Sequence, residues 1–391
     1  AYEYLKRMDL DRGEYFVLLM FSLSGMMLMA VAADLIVVFL ALELLSIPLY
    51  VLAGFARPQT ESEEAALKYF LLGAFAGGFI LFGIAFVYGA TGQTGLAEIV
   101  GTISLGIADT GLLVAGAALI LIGLGFKVAA VPFHMWTPDV YQGAPSTVTA
   151  FMALGAKAAG FAALLRIFVT AFPTLVEDMV PILWVLAALT MILGNYVAIA
   201  QRNIKRMLAY SSIAHAGYIM MALVPYAQGE LADSAVSAAL FYLLAYAFAN
   251  FGAWAVVVAL EKREGKGLML EDYAGLGRKY PWLAAAMTVF MLSFIGVPPT
   301  LGFVGKFYLF RVVLDGGFTG LALIGLLTSL VSAYYYLRVV VYMYMREGEP
   351  EVRRESWLYL TVGVTAVCVV VLSIFSEPLL NAASQAVLLL F

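Results

Sequence analysis

Residues 123–147, GLGFKVAAVPFHMWTPDVYQGAPST, place a cation, prolines and a histidine inside an otherwise apolar run. Lys127 has no polar neighbour in sequence, Pro132 follows five residues later, and His134, Trp136 and Asp139 come directly after. A charge in hydrocarbon costs about 2.5 kcal/mol on insertion scales. A proline in a membrane helix frees a carbonyl that must find another donor. The two together describe a polar site at mid-membrane. Comparable residues recur elsewhere: Glu43 in ALELLSIP, Lys157 in ALGAKAAGFA, His215 in SSIAHAGY, and Lys306 just after Pro298-Pro299. The chemistry open to such a set is proton transfer. Three permanently paired lysines would need three acids, and Glu43 is the one acid in the middle of an apolar run. At least two of Lys127, Lys157 and Lys306 therefore have no carboxylate at their own depth. Burial without an acid favours a neutral amine, and an amine that can be neutral can carry a proton.

The flanking sequence says what holds these residues. The chain has 391 residues, of which 63% are hydrophobic and 12% charged. A soluble domain is about half apolar and about a quarter charged, so this is an all-α polytopic membrane protein. The single cysteine, Cys368, excludes internal disulfides, and an iron–sulfur cluster needs about four cysteines. Two histidines and one cysteine are too few for a transition-metal site, so no metal is expected, and a haem held by His134 and His215 is disfavoured. GLGFKV and GLGRKY lack the third glycine of a dinucleotide fingerprint, and helix packing explains them better.

A membrane-spanning helix needs about 20 mostly apolar residues. Eleven stretches qualify: 14–32, 34–55, 64–92, 110–138, 145–172, 178–201, 205–227, 233–261, 281–315, 318–345 and 355–376. Two of them, 110–138 and 281–315, are too long for one straight span, and both carry proline near the middle: Pro132 in one, Pro298 and Pro299 in the other. Interrupted helices at matching places in two halves suggest a transporter built from repeats. Residues 1–172 are expected to hold an N-terminal arm and one five-helix repeat, and 173–345 an inverted second repeat. Residues 346–391 supply a loop and a C-terminal span. Glu43, Lys127, Lys157, His215 and Lys306 come from five different spans and are expected to line up parallel to the membrane plane.

Basic residues give the orientation. Fifteen, from Lys6 and Arg7 through Lys205 to Arg353 and Arg354, fall in one set of loops, and none falls in the alternate set. Residue 1 is therefore expected on the cytoplasmic side and residue 391 on the other. Lys68, Arg166, Arg311 and Arg338 lie near span ends and could snorkel to the surface. Trp136, Trp184, Trp282 and Trp357 are expected in interfacial belts, and 268–280 as a short interfacial helix.

The motifs resemble a known family. GFKVAAVPFHMWTPDVYQGAP is similar to the signature of the antiporter-like proton-channel subunits of respiratory complex I, NADH:quinone oxidoreductase, and HMWTPDVYQGAP resembles its N-type member. ALELLSIPLY, EEAALKYFLLGA, RMLAYSSIAHAGY and GVPPTLGFVGKF resemble the rest of the same pattern, so the likeness covers essentially the whole chain. The resemblance implies that Glu43 is the proton-channel glutamate, Lys68 and Lys127 the first-half lysines, Lys157 the central lysine and Lys306 the exit lysine. His215 is expected to relay protons, and His134 either to relay them or to cap freed carbonyls. The resemblance also implies no cofactor on this chain, with flavin, iron–sulfur clusters and quinone on partner subunits. The partners implied are other membrane subunits of complex I, homologous antiporter-like subunits among them, with lipid, water and protons but no nucleic acid. The location implied is a bacterial inner membrane or its organelle equivalent. Bacterial members usually have fourteen spans, and the sequence begins with Ala, so three preceding spans are expected outside it. The other readings are a subunit of a multi-subunit cation/proton antiporter or membrane-bound hydrogenase, and a stand-alone transporter of an organic solute. DVYQGAP favours the complex I reading.

Overall fold

The computed structural model describes residues 1–172, 175–227, 229–353 and 355–388. Arg354, Phe391 and the two residues 173–174 of the expected repeat boundary lie outside the described residues. The described chain is helical apart from two isolated bridges, Asp34 with Gly95 and Asn203 with Met269. In chain order the helices are α1 (Tyr2–Met8), α2 (Gly13–Val31), α3 (Leu35–Ala53), α4 (Thr60–Thr91), α5 (Leu96–Ser104) and α6 (Thr110–Val128). They continue with α7 (Trp136–Gly143), α8 (Ser146–Phe151), α9 (Lys157–Arg166), α10 (Val176–Ile199), α11 (Ile204–Met221) and α12 (Ala232–Leu260). The last are α13 (Leu276–Lys279), α14 (Pro281–Ile295), α15 (Leu301–Asp315), α16 (Thr319–Met345), α17 (Ser356–Ile374) and α18 (Glu377–Leu388). A π-helical turn, Met152–Ala156, joins α8 to α9 and a second, Ile167–Ala171, follows α9, so the expected span at 145–172 is one continuous helix with two widened turns. The expected interfacial helix at 268–280 is a 3₁₀ turn, Leu270–Tyr273, followed by α13.

Side chains fix several helix starts. Asp34 accepts from Ile36 N and Val37 N, Asp109 from Leu112 N, and Asn203 from Lys205 N and Arg206 N. Each takes up backbone donors that a first turn leaves without partners. Among the described residues, nine helical stretches are long and apolar enough to cross a membrane. The difference from eleven has two causes. Helix α11 carries Lys205, Arg206, Ser211, Ser212 and His215, and it is polar because it lines a site. The stretch 281–315 is divided into α14 and α15, of 15 residues each. Fifteen residues reach about 22 Å, short of the ~30 Å hydrocarbon thickness, so neither half crosses alone.

Both broken stretches end their first half in a left-handed residue. Helix α6 stops at Val128 with Ala129 at φ 62, and α14 stops at Ile295 with Gly296 at φ 87. Ala130 N bonds Gly125 O at 2.8 Å, and Val297 N bonds Leu292 O at 3.0 Å, the six-to-one closure of a Schellman end. Pro132, Pro298 and Pro299 therefore stand in the turns beyond these ends, not within a helix as the sequence suggested. They follow the cap because a proline cannot continue a helix.

The chain forms two compact units, one built from Arg12–Leu186 and the other from Ala1–Asp11 with Ala187–Val387. In the first, α4 packs on α6 backbone to backbone. A Cβ at Gly83 would lie 2.8 Å from Gly116 O, and one at Gly116 would lie 2.8 Å from Gly83 O. Small residues permit this approach where no hydrophobic force acts between helices. In the second unit α12 is the inner helix, 78% buried over its spanning window, whereas α17 is only 17% buried and presents an apolar surface. Trp282 and Trp357 are largely exposed near the starts of α14 and α17, as an interfacial belt expects. Arg7 anchors α1 to this unit by donating to Glu355 Oε1 and Val258 O, both at 2.6 Å. Arg338 donates to Ile199 O and Gln201 O, so it caps the end of α10 instead of snorkelling. In the segment that follows α16, Lys262 bonds Glu351 at 2.9 Å and holds that carboxyl below the usual carboxylate range.

Two expectations follow. Gly83→Val or Gly116→Val should force α4 and α6 apart and cost roughly 1–3 kcal/mol of overpacking. Gly78→Ala, which meets nothing within 4 Å, should leave the thermal midpoint in detergent unchanged. The Glu351 carboxyl, lowered in the fold, contributes stability above its unfolded pKa and loses it as pH falls through the lowered value. Hydrogen exchange in 346–353 should therefore rise on acidification below about pH 4, and Glu351→Gln should flatten that dependence.

Candidate functional site

Lys127 occupies the last turn of α6, where α6 stops inside the bundle, and is 4% exposed. It donates to Ser46 Oγ at 2.7 Å and to Tyr69 OH at 3.3 Å, and its ammonium lies 5.4 Å from the Tyr69 ring centroid. Ser46 in turn donates to Leu42 O within α3. Glu43 stands one turn before Ser46 on the same helix and is half-buried, with Oε1 against Gly77. Glu43 and Lys127 form no direct ion pair: among the described residues Glu43 has no cation within 4.0 Å, and Ser46 takes the contact. Lys127 of α6 thus meets the helix that carries the carboxylate without touching the carboxylate itself.

The α6–α7 turn is closed by Trp136. Its indole N–H donates to Phe126 O at 3.0 Å, and its ring stacks on Tyr69 at 4.6 Å and 11°. Trp136 is 3% exposed, so it serves this break and no interfacial belt. His134 lies in the same turn, half-buried, with its Nδ1 enclosed and making no hydrogen bond. One turn into α7, Asp139 Oδ2 meets Lys68 Nζ at 2.6 Å, and Glu64 meets the same ammonium at 2.6 Å. Lys68 is therefore a partly exposed clamp between α4 and α7, set apart from the buried lysines.

Lys157 opens α9 directly after the π turn and is 3% exposed. Such turns widen a helix locally and are frequent at functional sites. Three residues on, Gly160 packs against the stem of Lys127: a Cβ there would lie 3.4 Å from Lys127 Cγ. The small residues around Lys157 thus bring α9 onto the lysine-bearing end of α6.

In the second unit Lys306, 4% exposed, reaches back from α15 to the end of α14. It donates to Phe294 O at 2.9 Å, Ile295 O at 3.0 Å and Ser329 Oγ at 2.7 Å, and sits 4.6 Å above the Tyr218 ring. Three acceptors match the three donors of an ammonium. The carbonyl end of a helix carries partial negative charge, so the break itself supplies what a carboxylate would.

His215, on α11, is 2% exposed. Its Nδ1 lies 2.6 Å from Tyr242 OH and its Nε2 3.0 Å from Tyr336 OH. Ser211, one turn before His215, reaches the same Tyr336 hydroxyl. The rings of Tyr218 and Phe294 pack on His215, and these two residues also hold Lys306, by ring and by carbonyl. His215 and Lys306 therefore share one aromatic enclosure. Tyr218 continues the network to Thr328 and Asn195, and Asn195 to Tyr335.

Sequence reading missed the acceptors: Ser46, Tyr69, Ser329, Tyr242 and Tyr336. For Ser46 the signal was its place one turn from Glu43; hydroxyls on distant helices give none. It also placed Lys205 in a loop, whereas Lys205 is 2% exposed and its Nζ lies 4.0 Å from Glu261 Oε1. Among the described residues, no three His, Cys, Asp or Glu converge as metal ligands.

Residues 32–332 match the family model described as NADH:quinone oxidoreductase/Mrp antiporter, transmembrane. Subunit N of NADH-quinone oxidoreductase from Trichlorobacter lovleyi is 51% identical over 99% of this chain and 80% of its own length. A chain of respiratory complex I from Thermus thermophilus superposes with a TM-score of 0.83 at 41% identity, covering 95% of this chain and 80% of that one. A chain of the archaeal membrane-bound sulfane sulfur reductase gives a TM-score of 0.86 at 27% identity, over 96% and 75%. With two buried lysines, Lys127 and Lys306, set at or beside helix breaks and this breadth of likeness, the chain belongs to the NADH:quinone oxidoreductase/Mrp antiporter membrane-subunit family, in its subunit N branch.

Proposed function

We propose that the chain is the proton-translocating membrane subunit of an NADH:quinone oxidoreductase. It moves protons through Glu43, Lys68, Lys127, Lys157, His215 and Lys306, with His134 in a secondary role. One observation carries the reading: Lys127 and Lys306 are buried cations held by hydroxyls, carbonyls and rings, without a carboxylate in contact. Neutral acceptors can hold an ammonium and still let it lose a proton, because no stranded counter-charge is left behind. The hydroxyls of Ser46, Tyr69, Tyr242 and Tyr336 both donate and accept, so they can pass protons as well as position them.

Flavin, iron–sulfur clusters and quinone belong to partner subunits, and this chain contributes no redox group. Redox chemistry elsewhere reaches it as a coupling free energy through shared conformational and electrostatic states. The partners are other membrane subunits of the complex, including related antiporter-like ones, and the membrane is the bacterial inner membrane. The basic loops face the cytoplasm, with residue 1. On this reading the chain consists of two repeats, 14–172 and 178–345, opposite in direction through the membrane, and superposing them should bring Lys127 close to Lys306.

Lys157→Ala and Lys157→Arg should both abolish or sharply reduce proton uptake into vesicles at matched assembly. Arginine keeps the charge and will not release its proton. Normal pumping by Lys157→Arg would remove protonation cycling at this lysine. Glu43→Gln should depress pumping without dismantling the complex; full pumping would count against its role. Lys306→Met should lower stability as well as pumping, since Phe294 O loses this donor at roughly 1–3 kcal/mol, while Ile295 O keeps Ser329. The thermal midpoint of the purified complex measures this.

A further inference from the structure

The two breaks solve one problem in two ways. A helix that stops in the membrane leaves carbonyls that need donors. At the end of α14 the donors are Lys306 and Ser329, with Ile295 O accepting from both. At the end of α6, Phe126 O accepts from Ala129 N at 3.1 Å and from the Trp136 indole at 3.0 Å. Lys127, the residue next to Phe126, is left to face α3 and α4. The same indole ring stacks on Tyr69, one of the two acceptors of Lys127. Trp136 thus touches both the carbonyl of the residue before Lys127 and one of the two hydroxyls that receive the ammonium.

We infer that Trp136 is a positioning residue for Lys127: its N–H occupies the Phe126 carbonyl so that the lysine is directed to Ser46, one turn from Glu43. Without the N–H, Phe126 O keeps only its bond from Ala129 N, and the second lone pair of a carbonyl at a helix C-terminus is freed one residue from Lys127. That carbonyl carries partial negative charge and is a stronger attractor than a neutral hydroxyl. Lys127 then leaves Ser46, and α6 ends as α14 does, with a lysine for its cap. The Lys68–Asp139 ion pair supports the arrangement by fixing α7, which begins at Trp136.

This inference rests on the proposed role of Lys127 as a proton carrier, and the test separates the two. The measurement is protons moved per quinone reduced by the intact complex in vesicles. Lys127→Ala is the first arm; normal coupling there would sink the carrier role itself. In the second arm Trp136 is replaced by benzothienylalanine, which keeps the ring shape and lacks the N–H. Ser46→Ala is made with and without that change. With the native tryptophan, Ser46→Ala should lower coupling roughly fivefold; with benzothienylalanine it should add less than about twofold, because the lysine has already left. A merely structural tryptophan would give independent, additive losses. Equal factors for Ser46→Ala in both backgrounds, or normal coupling with benzothienylalanine, would overturn the inference. If that complex fails to assemble, Asp139→Asn takes its place. It should blunt the Ser46→Ala effect in the same way, and an undiminished effect would again overturn it.

Discussion

A helix that ends inside a membrane must have its last carbonyls satisfied by protein, because hydrocarbon offers no donor. Much of the polar architecture here depends on that constraint. The two interrupted stretches end in left-handed residues, Ala129 and Gly296, which close part of the problem with backbone N–H groups. What remains falls to side chains. At one break an indole meets the need, at the other a lysine and a serine. The breaks are therefore both the reason polar side chains are buried and the means of keeping them there.

The same constraint explains how cations are tolerated without acids beside them. Removing one member of a buried ion pair strands the other charge at roughly 3–5 kcal/mol. A lysine held by carbonyls and hydroxyls has no such partner to strand. Lys306 has its three acceptors and an aromatic face, and Lys127 has two hydroxyls and a ring. Lys68 and Lys205 form the contrast. Each is paired with carboxylates, Lys68 at 2.6 Å from Asp139 and Lys205 at 4.0 Å from Glu261, and each lies toward a helix end. An acid in contact holds a charge more firmly than a neutral acceptor does.

Close packing then decides which polar groups meet. Gly83 and Gly116 let α4 and α6 approach until a Cβ would strike a carbonyl, which carries Tyr69 to Lys127. Gly160 lets α9 settle on the Lys127 stem. In the second unit, Gly305 packs against Tyr242, so the helix that bears Lys306 lies against the tyrosine that holds His215. Side-chain hydroxyls from helices far apart in sequence are thereby gathered around two lysines, Lys127 and Lys306, and one histidine.

The sequence by itself determined the class of the molecule and the identity of its cations. Apolar runs of about 20 residues are read directly, because only helices or closed barrels satisfy their backbones in lipid. A lysine within such a run stands out for the same reason, so Lys127, Lys157 and Lys306 were legible, as were the two long stretches with prolines. What accepts from each lysine was decided only by the tertiary structure. Ser46 lies 81 residues from Lys127, Ser329 lies 23 from Lys306, and Tyr336 lies 121 from His215. No local periodicity encodes such pairs. The position of each break was also a tertiary matter. The prolines marked the region, but the helices stop earlier, at Ala129 and Gly296, where Trp136 and Lys306 supply the missing donors. Even Lys205, read as a loop cation, is buried because α12 brings Glu261 to it. Composition and spacing say which groups must be accommodated in the membrane; the packing of distant helices says by what, since a hydrogen bond is made in space and not along the chain.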